Sequence, residues 1–286
     1  MPENVQQALD TVIRDSLKTA VIPPQQRLPE AVMLPRWTLK RLVAWVKTTF
    51  GIDCCRDTLR KVLKDLGFSW KKARKLLNKA NPAKRAVFLE QLEGLLDDAL
   101  HQRCLLVYID EAHIHLDTDE GYGWSVKGER FWVSSSSPGL KKVSFYGLYL
   151  YDEAQVRIWP YDAANQENSV DVLERLRAEF PLLPIKLVWD GASYHRAFSV
   201  RDAAQTLNIE LQPLPAYSPD FMPVEHLWQW LREDLTYHTC YDHPDDLITQ
   251  VERFQARLNQ DSLALSQRLW VTTQLDPEIE KLRFST

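Results

Sequence analysis

The sequence predicts a small all-α module near the amino end, followed by a larger α/β domain in which helices flank a mixed sheet. Three observations support this. Apolar residues recur at helical spacing in two short segments between residues 38 and 66. A nearly continuous apolar run at 104–109 is typical of a central strand covered on both faces. Beyond it, strand-like and helix-like segments alternate, which favours a mixed sheet with helices on its faces.

The amino-terminal module is predicted to contain three short helices, over about 5–13, 38–49 and 53–66. Thr38 and Asp53 are suitable caps for the second and third helices, and Gly51 and Gly67 stand where those helices end. Two amphipathic helices joined by a tight turn indicate a helix-turn-helix unit, here of winged-helix-like form, whose last helix would be the recognition helix.

Positive charge is concentrated in this part of the chain. Residues 36–85 contain 15 Lys or Arg against 3 acids, a balance of +12, so the remainder carries −4 − 12 = −16. Such an imbalance is typical of phosphate contacts, although a generic helical module with a solvated face remains the alternative. The expected DNA-binding side chains on the third helix and in the following wing are Arg56, Arg60, Lys61, Lys64, Lys71, Lys72, Arg74 and Lys75.

A linker helix is predicted over 82–100, which gives three parts: a helix-turn-helix domain at 1–80, a linker at 81–100 and a catalytic domain at 101–286. The predicted strands of that domain are 104–109, 129–134, 142–151, 154–159 and 185–189. Its predicted helices are 167–180, 196–207, 222–235 and 244–258. Trp124, Trp132, Trp189 and Trp228 are expected in the core or at a domain interface.

Composition indicates a cytoplasmic protein. The first residues are polar, unlike an export signal, and no apolar run approaches the roughly 18 residues of a membrane span. The four cysteines form neither a Cys-x-x-Cys pair nor a dense framework, so we expect reduced thiols and no zinc site.

Three acids occupy positions that favour metal chemistry. Asp110 and Asp190 each end an apolar, strand-like run, and ligands of open α/β sheets bind at the carboxyl ends of strands. Glu225 lies in the first turn of a predicted helix, where its side chain can reach over the sheet. Carboxylates without a thiol or imidazole cage suit Mg²⁺ or Mn²⁺, and two such ions would promote in-line phosphoryl transfer. The acids are therefore the expected catalytic residues and metal ligands.

The sequence leaves more than one role possible for three residues near these acids. Strand alternation turns Glu111 away from Asp110, which favours a structural role over an extra ligand. His195 and His226 flank the site in sequence, and each is as easily a hydrogen-bonded structural histidine as a contact to phosphate or a proton.

Several segments resemble the DDE transposases of the mariner superfamily, in the bacterial branch known as insertion sequence family 630. The first aspartate block is similar at 107–111 and 123–128, the second at 187–195, and the third, most diagnostic, at 214–228. The 34 residues at 191–224 are the separation of the second and third acids that this branch favours. Gly191 and Met222 depart from the usual Asn, which predicts weaker turns beside Asp190 and Glu225.

The resemblance implies a ribonuclease-H-like fold, and double-stranded DNA as substrate: the inverted-repeat ends of a mobile element and a target, commonly a TA step. It also implies a dimer on DNA in the bacterial cytoplasm, associated with the nucleoid. Relatives usually carry two helix-turn-helix units, so the first is expected to be absent here. Three alternatives stay open: a related nuclease that does not join DNA, an inactive or truncated transposase that only binds DNA, and, remotely, a glycoside hydrolase.

Overall fold

The computed structural model describes residues 1–21, 36–71, 80–135 and 141–276, and the chain divides into two compact units. The first comprises Met1–Asn78 with Asp276–Thr286, and the second comprises Lys79–Leu275. Among the described helices, none is both long and apolar enough to cross a membrane.

The described part of the first unit contains three helices: α1 (Glu3–Val21), α2 (Leu39–Phe50) and α3 (Arg56–Asp65). They bury a common apolar core, formed by Val5, Leu9, Ile13, Leu42, Val46 and Leu59. As predicted, the Thr38 side chain caps α2 by accepting from the Arg41 N–H, and Gly51 ends that helix at φ 67°.

The predicted cap of α3 is wrong. Helix α3 begins at Arg56, and the sulfur of Cys55 accepts the hydrogen bond from the Thr58 N–H. The Asp53 carboxylate lies 2.8 Å from the Lys47 ammonium at the end of α2. The Asp53 carboxylate is thus paired with α2, and α3 starts later than the sequence pattern predicts.

The second unit is built on a five-stranded sheet with the order β3-β2-β1-β4-β5. Its elements, in chain order, are α4 (Pro82–Leu100), β1 (Leu105–His115), β2 (Lys142–Leu150), β3 (Gln155–Tyr161), α5 (Gln166–Glu179), β4 (Ile185–Trp189), α6 (Phe198–Thr206), β5 (Ile209–Pro213), a 3₁₀ turn (Pro219–Phe221), α7 (Val224–Leu231), a π-helical turn (Arg232–Thr236), α8 (Pro244–Leu258) and α9 (Ser262–Arg268). β1 is antiparallel to β2 and parallel to β4, which confirms the predicted mixed sheet.

Helices cover both faces of this sheet. On one face Leu106 and Tyr108 of β1 pack in a cluster that includes residues of α4, α7, α8 and α9. On the other face Leu105, Val107 and Ile109 pack with residues of α5 and α6. This alternation along β1 is the pattern of a central strand buried on both sides.

Two predicted elements and the predicted burial of two tryptophans need correction. Residues 129–134 form no strand: they are mostly exposed in an irregular segment between β1 and β2, and no strand of the sheet pairs with them. The helix predicted over 222–235 is α-helical only at Val224–Leu231 and then widens into the π turn. Trp124 is fully exposed and Trp132 is largely exposed, whereas Trp189 and Trp228 are buried as expected.

Candidate active site

Asp110, in β1, and Asp190, just after β4, lie at the same level of two neighbouring parallel strands. The parallel pairing of β1 with β4 ends at Tyr108 and Val188, and each acid stands two residues beyond that pair. Asp190 directly follows β4, as predicted. Asp110 does not end its strand, since β1 continues to His115 while paired with β2. Parallel register therefore brings the two carboxylates together.

Glu225, in the first turn of α7, completes the group. All three acids line one open cavity of about 530 Å³, whose walls also include Arg196, Tyr217 and Met222. The structure therefore brings the three sequence-predicted acids to one site.

Asp110 is enclosed and held on one side. The Trp228 indole N–H donates to its Oδ2 at 3.0 Å. Burial, and then the negative charges of Glu225 and Glu111, raise the pKa of Asp110 from 3.8 to about 8. The indole fits because residue 147 on β2, opposite Asp110, is glycine: a Cβ there would lie 2.5 Å from the Trp228 ring.

The pKa of Asp190 is shifted in the opposite direction to that of Asp110. Its Oδ1 accepts from the Ala192 N–H and from His195 Nδ1, each at 2.9 Å. The hydrogen bond from His195 is the main cause of a lowered pKa of the Asp190 carboxyl. The turn after β4 therefore closes around Oδ1 even though Gly191 stands where Asn was expected.

His195 and Glu111 form a buried pair behind Asp190. His195 Nε2 donates to Glu111 Oε1 at 2.8 Å, and the Tyr194 hydroxyl donates to Glu111 Oε2 at 3.3 Å. Burial lowers the pKa of His195, but hydrogen bonds to Asp190 and Glu111 outweigh it and raise this pKa to about 9. The predicted direction of Glu111, away from Asp110, places it against His195.

Glu225 is positioned by the turn that precedes α7. Its N–H donates to the Met222 carbonyl at 3.2 Å, so this turn also forms without Asn. Upstream, the buried Arg85 of α4 donates to both carboxylate oxygens of Asp220, at 3.0 and 2.6 Å. Enclosure by the protein, and then the charge of Asp190, raise the pKa of Glu225.

His226 stands apart from the acids. Its ring packs on Trp270 with centroids 4.2 Å apart, and its buried Nδ1 has no hydrogen-bond partner among the described residues. Burial, and then the charge of Arg268, lower the pKa of His226. These surroundings favour a structural role for His226 over a contact to phosphate or a proton.

Sequence reasoning missed the roles of four side chains around the acids. Trp228 was expected only as a core residue, yet it also donates to Asp110. Arg196 follows His195 directly and is exposed on the cavity wall. The Arg85 to Asp220 pair spans 135 positions and has no local sequence signal.

The acids do not form a preassembled metal cage. In the described part of the chain, no three or more histidine, cysteine, aspartate or glutamate side chains are grouped as a ready-made metal site. The donor chemistry nevertheless fits a hard divalent cation, because three carboxylates face one cavity and two of their pKa values are raised by mutual repulsion in addition to burial.

In the first unit, the predicted basic surface is accessible. The exposed members of the predicted set are Arg56, Arg60, Lys61, Lys64 and Lys71. Asp57 pairs with Arg60 within α3. The remaining predicted residues, Lys72, Arg74 and Lys75, lie outside the described residues.

Known proteins match both parts of the chain. A family model described as DDE superfamily endonuclease matches residues 105–248, just over half of the chain. Another, described as winged helix-turn helix, matches residues 35–92. A Shigella sonnei protein named "Insertion element IS630 uncharacterized 39 kDa protein" is 24% identical over 209 residues, which cover 72% of this chain. The chain spans 60% of that relative's length.

Solved structures of Mos1 transposase are similar in fold. The paired-end complex with left transposon end has a TM-score of 0.60 at 20% identity, over 87% of this chain and 74% of that one. The Mos1 mariner paired end complex with Mn has the same TM-score at 19% identity, over the same shares. These neighbours confirm the predicted ribonuclease-H-like fold class with a helical amino-terminal region.

Proposed function

The chain belongs to the DDE superfamily endonucleases, and on this premise we propose that it is a transposase that cuts the ends of a mobile element and joins them to target DNA. Membership confirms the predicted enzyme class. The observation that carries the proposal is that Asp110, Asp190 and Glu225 line one open cavity within the matched domain.

We propose Asp110, Asp190 and Glu225 as the ligands of Mg²⁺ or Mn²⁺, with two ions per site. The Mos1 paired end complex with Mn supports the choice of cation. When bound, such ions activate the attacking oxygen and stabilise the leaving oxygen of an in-line displacement at phosphorus. Carboxylates on two adjacent strands and one helix would draw together around them.

The protein groups have distinct tasks in this scheme. Asp190 is held by its hydrogen bond from His195, whereas burial raises the pKa of Asp110, so this carboxyl would have to give up its proton to serve as a ligand. The Trp228 indole holds one oxygen of Asp110 in place. Arg196 on the cavity wall supplies a positive charge for a DNA phosphate.

The first unit would bind double-stranded DNA through the exposed basic side chains of α3. Arg56, Arg60, Lys61 and Lys64 lie outside the apolar core of the helix, as residues that enter a major groove must. The paired-end arrangement of Mos1 supports a dimer on DNA. The similarity to an insertion-element protein supports element DNA as the substrate. Action in the bacterial cytoplasm and joining at TA steps are further parts of the proposal, and TA steps are the target to test first.

The test is incubation of the full chain with Mn²⁺ and DNA that carries the flanking genomic repeats and a labelled TA-containing target. We expect strand cleavage at the repeat ends and joined products, both abolished by Asp110→Asn, Asp190→Asn or Glu225→Gln. DNA binding in a gel shift should persist in all three variants, because the basic surface is in the other unit.

The outcomes separate the alternatives. Cleavage without joined products would identify a nuclease. Binding without cleavage in Mn²⁺ or Mg²⁺ would identify an inactive, DNA-binding protein. A near-normal cleavage rate in any one acid variant would remove that residue from the ligand set.

A further inference from the structure

We propose that Glu111 and His195 are a positioning pair that fixes the carboxylate of Asp190 before a metal ion binds. The proposal rests on the proposed function, since it takes Asp190 as a ligand. It concerns residues behind the site, which contact the ligand and not the reacting atoms.

The His195 ring is hydrogen-bonded at both nitrogens and packed against two aromatic rings. Its two nitrogens lie 2.9 Å from Asp190 Oδ1 and 2.8 Å from Glu111 Oε1, and its side chain is 1% exposed. One face stacks on Trp189, with centroids 4.2 Å apart and planes at 10°. Tyr194 meets the ring edge-on at 4.5 Å. These contacts leave the ring little room to turn, and the ring therefore fixes the carboxylate that it contacts.

Glu111 supplies the fixed end of this arrangement. It follows Asp110 on β1, in the middle of the sheet, and its side chain is 6% exposed. The Tyr194 hydroxyl donates to its second oxygen. Because Glu111 is held on the strand that carries Asp110, the pair ties the position of Asp190 to that of Asp110 across two neighbouring strands.

The histidine ring connects the two carboxylates directly. Each of its nitrogens has a carboxylate oxygen as partner, Asp190 Oδ1 on one side and Glu111 Oε1 on the other. The geometry of the pair therefore sets where the Asp190 carboxylate lies.

The hydrogen bonds also select one oxygen of Asp190. Both the Ala192 N–H and His195 Nδ1 donate to Oδ1, and Oδ2 accepts no hydrogen bond from the described residues. Asp190 is thus presented with one oxygen occupied and the other free. A fixed carboxylate loses less conformational freedom on binding a cation than a mobile one, so removing the pair should weaken metal binding.

The test is Mn²⁺ binding to the full chain without DNA, measured by calorimetry or by electron paramagnetic resonance. We expect His195→Ala to weaken binding by about 10- to 100-fold, the usual effect of removing a group behind a ligand. His195→Asn keeps an amide donor near the position of Nδ1 and should recover most of this affinity, and Glu111→Gln should fall between. The matched control is His226→Asn, next to Glu225, which should bind like the unaltered protein.

A purely structural role would give a different pattern. Excess Mn²⁺ should restore cleavage by His195→Ala, because the defect is in affinity, whereas a folding defect would not respond. Equal Mn²⁺ affinity in His195→Ala and the unaltered chain would overturn the pair, as would His195→Asn matching His195→Ala. If His195→Ala fails to fold, Glu111→Gln provides the test, and unchanged Mn²⁺ affinity in this variant overturns the pair.

Asp190→Asn separates this inference from the proposed function. If Asp190→Asn binds Mn²⁺ normally, the proposed metal site fails. If Asp190→Asn loses binding while the variants of Glu111 and His195 retain it, the metal site stands and only the positioning pair fails.

Discussion

Replacing Asp110 by Asn should stabilise the metal-free protein, whereas the same replacement at Asp190 should destabilise it. The two acids are at the same level on adjacent strands, but their pKa values are shifted in opposite directions. Asparagine is nearly the same size as aspartate and removes the charge, so each variant isolates the electrostatic contribution of its site.

The magnitude for Asp110 follows from its raised pKa. A carboxyl with a native pKa of about 8 and an ordinary value of 3.8 stabilises the fold fully only below pH 3.8, and this contribution is lost as pH rises towards 8. The loss is about 1.4 kcal/mol per pH unit. At pH 7 it amounts to roughly 4 kcal/mol, which is the order of stabilisation that Asp110→Asn should recover.

The sign reverses for Asp190. Its lowered pKa means that the ionised carboxylate is favoured in the native state, so its contribution is present above the ordinary pKa and is lost as pH falls through the native one. Half of this side chain is exposed, which screens the interaction, so Asp190→Asn should cost only about 1 kcal/mol at pH 7.

Urea denaturation in the presence of a chelator, at intervals between pH 5 and 9, measures both effects. The stability difference between Asp110→Asn and the unaltered protein should shrink towards low pH. If both variants were more stable than the unaltered protein at pH 7, or both less stable, the two carboxyls would not have oppositely shifted pKa values.

Three further predictions concern other parts of the chain. Charge reversal at Arg60 and Lys61 should lower the slope of log K against log salt by about 0.9 for each phosphate that is no longer neutralised, in salt-dependent gel shifts, without changing Mn²⁺ affinity. Gly147→Ala should destabilise the protein by about 1 to 3 kcal/mol, because its Cβ overlaps an indole; Gly94→Ala in α4, where a Cβ meets nothing within 4 Å, is the control that should not. Arg196→Gln should raise the KM for DNA in cleavage assays and leave Mn²⁺ affinity unchanged, and an unaltered KM would exclude its contact with phosphate.

Local patterns were sufficient where local forces decide the structure. The apolar run before Asp110 predicted the central strand, and the cap at Thr38 and the glycine at 51 predicted the bounds of α2. The pattern at 129–134 wrongly predicted a strand. Its aromatic residues favour strands, but a strand also needs a neighbouring strand to pair with, and residue types alone do not show one. The sequence analysis also missed β5, whose apolar and polar residues alternate over only four positions before a proline ends the strand.

In the site, too, local sequence predicts some features, while others depend on contacts between distant parts of the chain. Sequence motifs identified the three acids, but not the contacts that give each acid its state. The opposite pKa shifts of Asp110 and Asp190 depend on Trp228 and His195, and neither contact follows from spacing alone. The direction of Glu111 did follow from strand alternation, whereas its partner required the fold.

The contact between Arg85 and Asp220 determines where the catalytic unit can be cut for separate expression. The Arg85 guanidinium also lies over the Phe221 ring, 4.4 Å from its centroid, and Asn81 caps the helix that carries it. A fragment starting at the first strand would leave Asp220 and Phe221 uncovered only a few residues before Glu225. An isolated catalytic fragment should therefore begin no later than Asn81, even though the family match begins at residue 105.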